Sequence, residues 1–302
     1  MLNTRIIFST AVAALLLAAP GAWAQWPEYK VPGAPRLANG KVNMNAPAPK
    51  MPDGKPDFTG VWNSVDILGG PAGGPGTKPT FVPPGFGAPC QGPPASAATP
   101  DEAKKIYRAG FQNLAVQWPG CLLPYQPWAL ELRNRRSARN GIDSPDTYCL
   151  PLNPVWLWVH PYPRKLIQGT RELVYLGEAN SATRDIFFDG RAQPKNGSVQ
   201  PWWYGYSTAK WEGDTLVVET TGFNDEGWID ENGSPLTSEA HVTERIRRPN
   251  YGTLEVLVTV NDPKAYTRPF TLSMNQYLMA DDELLEFICA ENNTSTKHFT
   301  EK

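Results

Sequence analysis

Residues 202–223 read WWYGYSTAKWEGDTLVVETTGF, and they form one β-hairpin on sequence grounds alone. In the first arm, Tyr204–Trp211, the side chains alternate. Tyr204, Tyr206, Thr208 and Lys210 share one face; Gly205, Ser207, Ala209 and Trp211 share the other. Glu212-Gly213-Asp214 makes the turn, because Gly213 takes positive φ without steric cost. The second arm, Thr215–Thr221, is β-branched at most positions, as a pleated, half-buried surface prefers. Small and aromatic residues on one arm face aliphatic ones on the other. That mixture fits a sheet wrapped around a ligand, and equally a sandwich hairpin with a buried Trp211.

Outward from this hairpin, the chain after Leu150 is a succession of strands. Trp156–His160, Lys165–Gln168, Glu172–Gly177, Arg184–Phe188, His241–Arg247, Thr253–Val260, Phe270–Leu278 and Leu284–Cys289 all carry strand patterns. Asp189-Gly190, Asn250-Tyr251-Gly252 and Asn261-Asp262-Pro263 are turns between them. No helix of 10–15 residues intervenes, so the expected sheet is antiparallel. Mainly β, with about 8–10 strands, it predicts an up-and-down barrel of the calycin type, a size that holds one small ligand. The long interruption at Asn224–Ser238 belongs at a barrel mouth.

Upstream, residues 25–56 are rich in Pro and Ala and predict an extended arm. Asp57–Asn63 is a first strand containing Gly60-x-Trp62, a pattern that resembles the first strand of lipocalin-type barrels, where the Trp plugs the closed end. Leu68–Ala98 is too dense in Gly and Pro for regular structure and reads as a surface loop. Thr99-Pro100-Asp101-Glu102 opens a helix whose apolar side holds Ile106, Phe111 and Leu114. Pro127–Asn140 is a second helix, whose Arg133, Arg135, Arg136 and Arg139 read as a solvated face or, less simply, as the holder of an anionic ligand. The organisation expected is a leader at 1–24, an arm at 25–56, and one β-barrel domain over 57–302 with an insertion at about 64–149.

Arg5, the apolar run Ile6–Ala19 and the Ala22-Trp23-Ala24 site predict a cleavable export signal cut after Ala24. The product is then periplasmic or secreted and begins at Gln25, leaving 278 of the 302 residues once the first 24 are removed. Loss of Arg5 takes Lys and Arg from 28 to 27 against 30 Asp and Glu, a balance of −3 that disfavours nucleic-acid partners. No later run has the ~18 apolar residues of a membrane span. In an oxidising compartment the four cysteines predict two disulfides; Cys149–Cys289 and Cys90–Cys121 are preferred among three pairings. Absent C-x-x-C spacing, with three His in all, no metal site is expected.

The stretches PDGKPDFTGVW (52–62), QPWA (126–129), NGIDSPDTYCLP (140–151), RDIFFDGR (184–191), the hairpin itself, ERIRRPNYGTLEV (244–256), NDPKAYTRPFT (261–271) and ELLEFICAEN (283–292) resemble a widespread family of exported bacterial proteins. The resemblance covers most of the mature chain and implies the fold and export; it brings no mechanism. The chain departs from it at Asn153–His160, at Gln193 and Leu236 where relatives often have His, and in the loop at 68–98.

Candidate chemistry gathers near the expected barrel openings. His241 follows Glu239 at strand spacing, a His–carboxylate pair suited to a general base, against the plainer reading of two solvated side chains. Asp225, Glu226 and Asp230 surround Trp228 in the mouth loop, as an acid–base set or a solvated turn. Arg184, Asp185, Asp189 and Arg191 bracket a strand, as ion pairs pinning a hairpin or as an Arg holding a polar ligand group. Tyr204 and Tyr206 can donate to a ligand oxygen. Trp156, Trp158 and His160 on one strand face would make an aromatic wall, or core.

No nucleophile, phosphate-loop or dinucleotide motif is present, and no cofactor is expected. The leading expectation is a cofactor-independent lyase, isomerase or cyclase acting on a small aromatic or polycyclic molecule. In it, His241 or His160 moves the proton, with Glu239, Asp225 or Glu226 assisting. The alternatives are a non-catalytic carrier of a hydrophobic ligand, and a carbohydrate-binding protein with Trp202 and Trp203 as sugar platforms. In each case the partner is a small molecule.

Overall fold

A computed structural model describes residues 29–64, 114–117, 122–139, 141–195, 200–291 and 293. The leader, the Gly/Pro-rich loop, the helix opening at Thr99 and the Cys90–Cys121 pair lie outside the described residues. The hairpin is present, with β5 at Tyr206–Glu212 and β6 at Thr215–Thr221. Its turn is tighter than expected. Glu212 already pairs with Thr215, leaving Gly213 (φ +61°) and Asp214 as a two-residue loop. The first arm starts at Tyr206 because Gly205 takes φ +66°, where a Cβ would lie 2.8 Å from the Thr221 carbonyl oxygen.

Nine strands close into a barrel. β1 (Gly60–Asn63) pairs with β2 (Arg164–Gln168), followed by β3 (Glu172–Gly177) and β4 (Thr183–Phe187). β4 leads to β5 and β6, then to β9 (His241–Asn250) and β10 (Thr253–Asn261). β12 (Gln276–Leu278) joins β10 back to β1. β11 (Phe270–Ser273) pairs with the upper half of β10, so the single strand expected at 270–278 is broken after Ser273. A two-stranded ribbon, β7 (Gly227–Trp228) with β8 (Pro235–Leu236), lies inside the mouth loop. The topology departs from pure up-and-down in one place: β4 and β5 are parallel, paired through Ile186–Ser207 and Phe187–Thr208.

Inward residues are in register around the wall. Leu173 faces Ile186, Tyr175 faces Arg184, Ser207 faces Thr220, and Val218 and Val258 flank Glu244. All are buried, as the two-residue side-chain period demands.

The lumen is filled by an element that sequence reading assigned wrongly. Pro154–Val159 is an α-helix, α2, and not part of a strand at 156–160. The Asn153 side chain caps it, accepting from the backbone N–H groups of Val155 (3.0 Å) and Trp156 (3.2 Å), with Pro154 in the first turn. That Asn-Pro start is a helix signal, and it outweighs the Trp-x-Trp-x-His alternation. All six helical residues are buried, so α2 is apolar all round and belongs inside the protein.

The opposite end is shut as the Gly-x-Trp pattern predicts. Trp62 is fully buried, donates from Nε1 to the Phe58 carbonyl (3.0 Å), and carries the Arg248 guanidinium 4.8 Å from its ring centroid. Arg248 also donates to the Tyr251 and Asp57 carbonyls, tying the turn after β9 to the start of β1. The N-terminal arm then wraps this end in two matching turns. Leu37 and Met51 donate to the Lys41 and Lys55 carbonyls at 2.8 Å, and Gly40 and Gly54 donate back to Leu37 and Met51 at 2.9 Å. Arg36 forks onto Asp281, and Lys50 meets Asp214 at the hairpin tip.

Cys149 and Cys289 are bonded, with Cα atoms 5.5 Å apart. The segment carrying Cys289, expected as a strand over Leu284–Cys289, is irregular. The disulfide and the Leu285 N–H to Glu178 Oε1 bond (2.7 Å) hold it instead, and Leu285 and Ile288 stay exposed.

Candidate functional site: a plugged lumen and a cleft at its mouth

At mid-lumen the wall carries an ion pair. Arg184 on β4 forks onto Glu244 on β9, with Nη1 to Oε1 at 2.9 Å and Nη2 onto Oε2. The guanidinium also donates to the Ser207 (2.9 Å) and Thr220 (2.9 Å) hydroxyls. Arg184 is therefore internal to the barrel, and the group it pairs with is the protein's own Glu244 carboxylate. α2 completes the set. The Trp158 indole N–H donates to Glu244 Oε1, and its ring stands edge-on to Tyr175, centroids 5.6 Å apart. Tyr175 in turn donates to the Leu157 carbonyl at 3.1 Å. Below α2, Arg164 gathers the carbonyls of Trp158, His160 and Tyr162 and the side chain of Gln276. The Arg184–Glu244 fork, with Ser207, Thr220 and the Trp158 indole around it, meets the condition under which charges persist in a core. This closed barrel encloses a small aromatic ring, and the ring is its own Trp158.

Outside the plug, the mouth loop and α1 (Pro127–Ala138) enclose an open cleft of about 260 Å³. Trp128, Leu132 and Arg136 come from one face of α1, at the i, i+4, i+8 spacing that stacks side chains along a helix. Asp225, Pro235, Thr237 and Lys264 face them. Each wall is fixed from behind. Trp128 is 41% exposed, yet its Nε1–H is anchored to the Lys264 carbonyl at 2.8 Å. Arg136 stacks on the buried Trp228 ring, 4.4 Å from its centroid, and spends one N–H on the Gly233 carbonyl at 3.0 Å. Burial lowers Arg136 to about 10, well above neutral pH. Thr237 is locked onto Asp262 through both N–H and hydroxyl, at 2.8 Å each. Asp225 accepts from the Ser238 N–H (2.9 Å) and hydroxyl, and meets Lys264 at 3.3 Å. The Ser238 N–H works first, against desolvation, and Lys264 and the Ser238 hydroxyl help it hold Asp225 below the ordinary carboxylate range.

The remaining candidate residues are dispersed. His241 meets Glu219 at 2.8 Å on the outer face of the wall, and not Glu239, whose N–H caps back onto Thr237 Oγ1. His160 is buried beyond the C-terminus of α2, 3.5 Å from Asp146 and stacked on Tyr162. Burial alone would raise Asp146; the His160 contact and the Asn180 amide outweigh it and lower the carboxyl. Trp156, expected on a wall with Trp158 and His160, is fully buried in α2. Glu226 is exposed. Asp230 is buried and accepts from Ser234 and from the Leu114 N–H (3.2 Å). Tyr204 is half-buried, and burial pushes its hydroxyl up to about 12. Tyr206 lies outside, against Trp202, Phe187 and Arg191, and Arg191 is forked by Asp189.

Of the expected site residues, the cleft thus collects Asp225, with Trp228 behind it. Trp128, Leu132 and Lys264 were missed, and Arg136, read first as part of a solvated face, lines the cleft instead. Their signal was the helical period of Trp128, Leu132 and Arg136. No three His, Cys, Asp or Glu side chains among the described residues converge as a metal-ligand set. No protein-family model, curated protein or solved structure matches the chain.

Proposed function

We propose that this protein is an exported, non-catalytic carrier that holds a small aromatic or otherwise apolar molecule at the mouth of its barrel. The observation that carries the reading is the cleft of about 260 Å³, with a fixed indole and the Leu132 and Pro235 side chains on its walls. It is slightly smaller than the roughly 300–1,000 Å³ of drug-sized sites, and suits a compact ligand. Further support comes from the dispersal of the acid–base candidates. Proton transfer needs groups within hydrogen-bond reach of one reacting centre. Here His241 is on the outer wall, His160 is under the plug, and Asp225 is occupied by Ser238 and Lys264.

The test is incubation of the mature protein with a mixed set of soluble aromatic compounds, followed by native mass spectrometry of the protein and chromatography of the solution. Retention of a compound that returns unchanged after denaturation supports carriage. Steady conversion of a compound by catalytic amounts of protein would replace carriage with catalysis.

A further inference from the structure

The cleft holds three charged groups, and their neighbours leave them unequal. Asp225 Oδ1 already accepts from the Ser238 N–H, the Ser238 hydroxyl and Lys264, and Oδ2 shares the Ser238 hydroxyl, so this carboxylate is engaged by its own neighbours. Arg136 has five N–H donors, of which one is committed to Gly233. Its stacking on Trp228 covers a flat face and leaves the in-plane edge that recognises carboxylates in forked geometry. Lys264 stands half-exposed across the cleft. Two cations against one engaged anion leave the pocket with excess positive charge, beside an indole held in place by its own N–H.

We propose that the cleft selects a planar single-ring aromatic carboxylate, its ring against Trp128 and Leu132 and its carboxylate between Arg136 and Lys264. This rests on the carrier reading and adds the charge and shape of the ligand. Preference for an anion follows from the spare donors. Preference for a flat ring follows from Trp128, since rigid aromatic walls lose little entropy on stacking. At about 260 Å³ the cleft lies just below the range of drug-sized sites, which favours a compact ring.

The probes are benzoate, its neutral analogues benzamide and benzyl alcohol, and its non-planar analogue cyclohexanecarboxylate, titrated by calorimetry into the mature protein. Benzoate is expected to bind about tenfold or more tighter than benzyl alcohol, as a charge-assisted hydrogen bond implies. Arg136→Gln, which keeps a donor for Gly233, should remove that advantage while leaving benzyl alcohol within about threefold. Trp128→Ala should weaken both aromatics and leave cyclohexanecarboxylate nearly unaffected. Leu132→Trp, filling the cleft from α1, should abolish all binding there without loss of the folded circular-dichroism spectrum. Equal binding of benzoate and benzyl alcohol, unchanged by Arg136→Gln but lost in Leu132→Trp, would overturn the anion selectivity and leave the carrier reading standing. Aromatic binding that survives Leu132→Trp would show that the cleft is not the site. Binding of no aromatic compound by the wild type would refute both.

Discussion

Replacing Glu244 by Gln keeps the shape of the side chain and removes its charge from the lumen. Whichever way the new amide turns, one of its two positions becomes an N–H₂ group. In either orientation that group faces an Arg184 N–H, and at the Oε1 position it faces the Trp158 indole N–H as well. Arg184, 3% exposed, keeps its charge with one amide oxygen and the Ser207 and Thr220 hydroxyls as its neutral partners. A unit pair about 4 Å apart at an effective dielectric near 20 is worth roughly 4 kcal/mol. Removing one member of a buried pair costs about 3–5 kcal/mol in measured cases. Against a total stability of about 5–15 kcal/mol, Glu244→Gln should still fold, with its melting temperature lowered by about 6–20 °C. Arg184→Met should cost a similar amount. The double variant Arg184→Met/Glu244→Gln should lose clearly less than the sum of the two single losses, because the stranded charge is gone. Urea unfolding of the four proteins, monitored by far-ultraviolet circular dichroism, gives the cycle. Additive losses, or single losses under about 1 kcal/mol, would refute a mutually dependent pair at the centre of the barrel.

Trp158→Ala removes the ring that plugs the lumen; it should cost about 3–5 kcal/mol, and added indole should raise the melting temperature of the variant by more than that of wild type. Asp230 is raised by burial against the hydrogen bonds from Ser234 and Leu114, so its ionised form disfavours folding and that cost grows as pH rises through the folded pKa. The stability of Asp230→Asn relative to wild type should therefore increase between pH 4 and pH 7, and a flat or falling difference would contradict the assignment. Asp281 is held down to about 2, first by Arg36 and then by the Val31 N–H, so its grip on the arm is present above about pH 4 and fades as pH falls toward 2. Asp281→Asn should speed trypsin cleavage at Arg36 and Lys41 at neutral pH while leaving the barrel's melting temperature within a degree or two, and an unchanged cleavage rate would sink it. Because the disulfide joins residues 140 apart, the chain-entropy argument gives Cys149→Ser/Cys289→Ser a loss of about 3–5 kcal/mol in urea unfolding. A loss under about 1 kcal/mol would show the ends to be held by other contacts.

The hairpin, β3, the closed end with Trp62 and the Cys149–Cys289 bond were legible because each rests on a local or strongly patterned signal. Strand alternation, the Asp-Gly and Gly-Asp turns and Gly-x-Trp are of this kind. α2 was misread because six apolar residues satisfy both periods, and the deciding signal was the Asn153-Pro154 pair ahead of them. The segment at 284–289 has strand composition, but it is held by the Cys149–Cys289 bond and by Glu178 and joins no ladder. The candidate site was the least legible part. His241 and Glu239 share a spacing, yet Glu239 sits in the turn before β9 and the cross-strand neighbour Glu219 takes the imidazole. Arg184 and Glu244 are 60 residues apart in the chain, and only the barrel register brings them together. The cleft likewise depends on how α1 docks on the mouth loop, and no spacing within either segment encodes that.

The account stands most directly on whether the mouth cleft binds an aromatic ligand and releases it intact. The measurement is a calorimetric titration of the mature protein with benzoate, in parallel for wild type and Leu132→Trp, with chromatography of the recovered ligand. Saturable binding to wild type, its absence in the filled variant and recovery of unchanged benzoate are the predicted results. Binding of equal strength in both proteins, or benzoate recovered as a different compound, would contradict a carrier with its site at the barrel mouth.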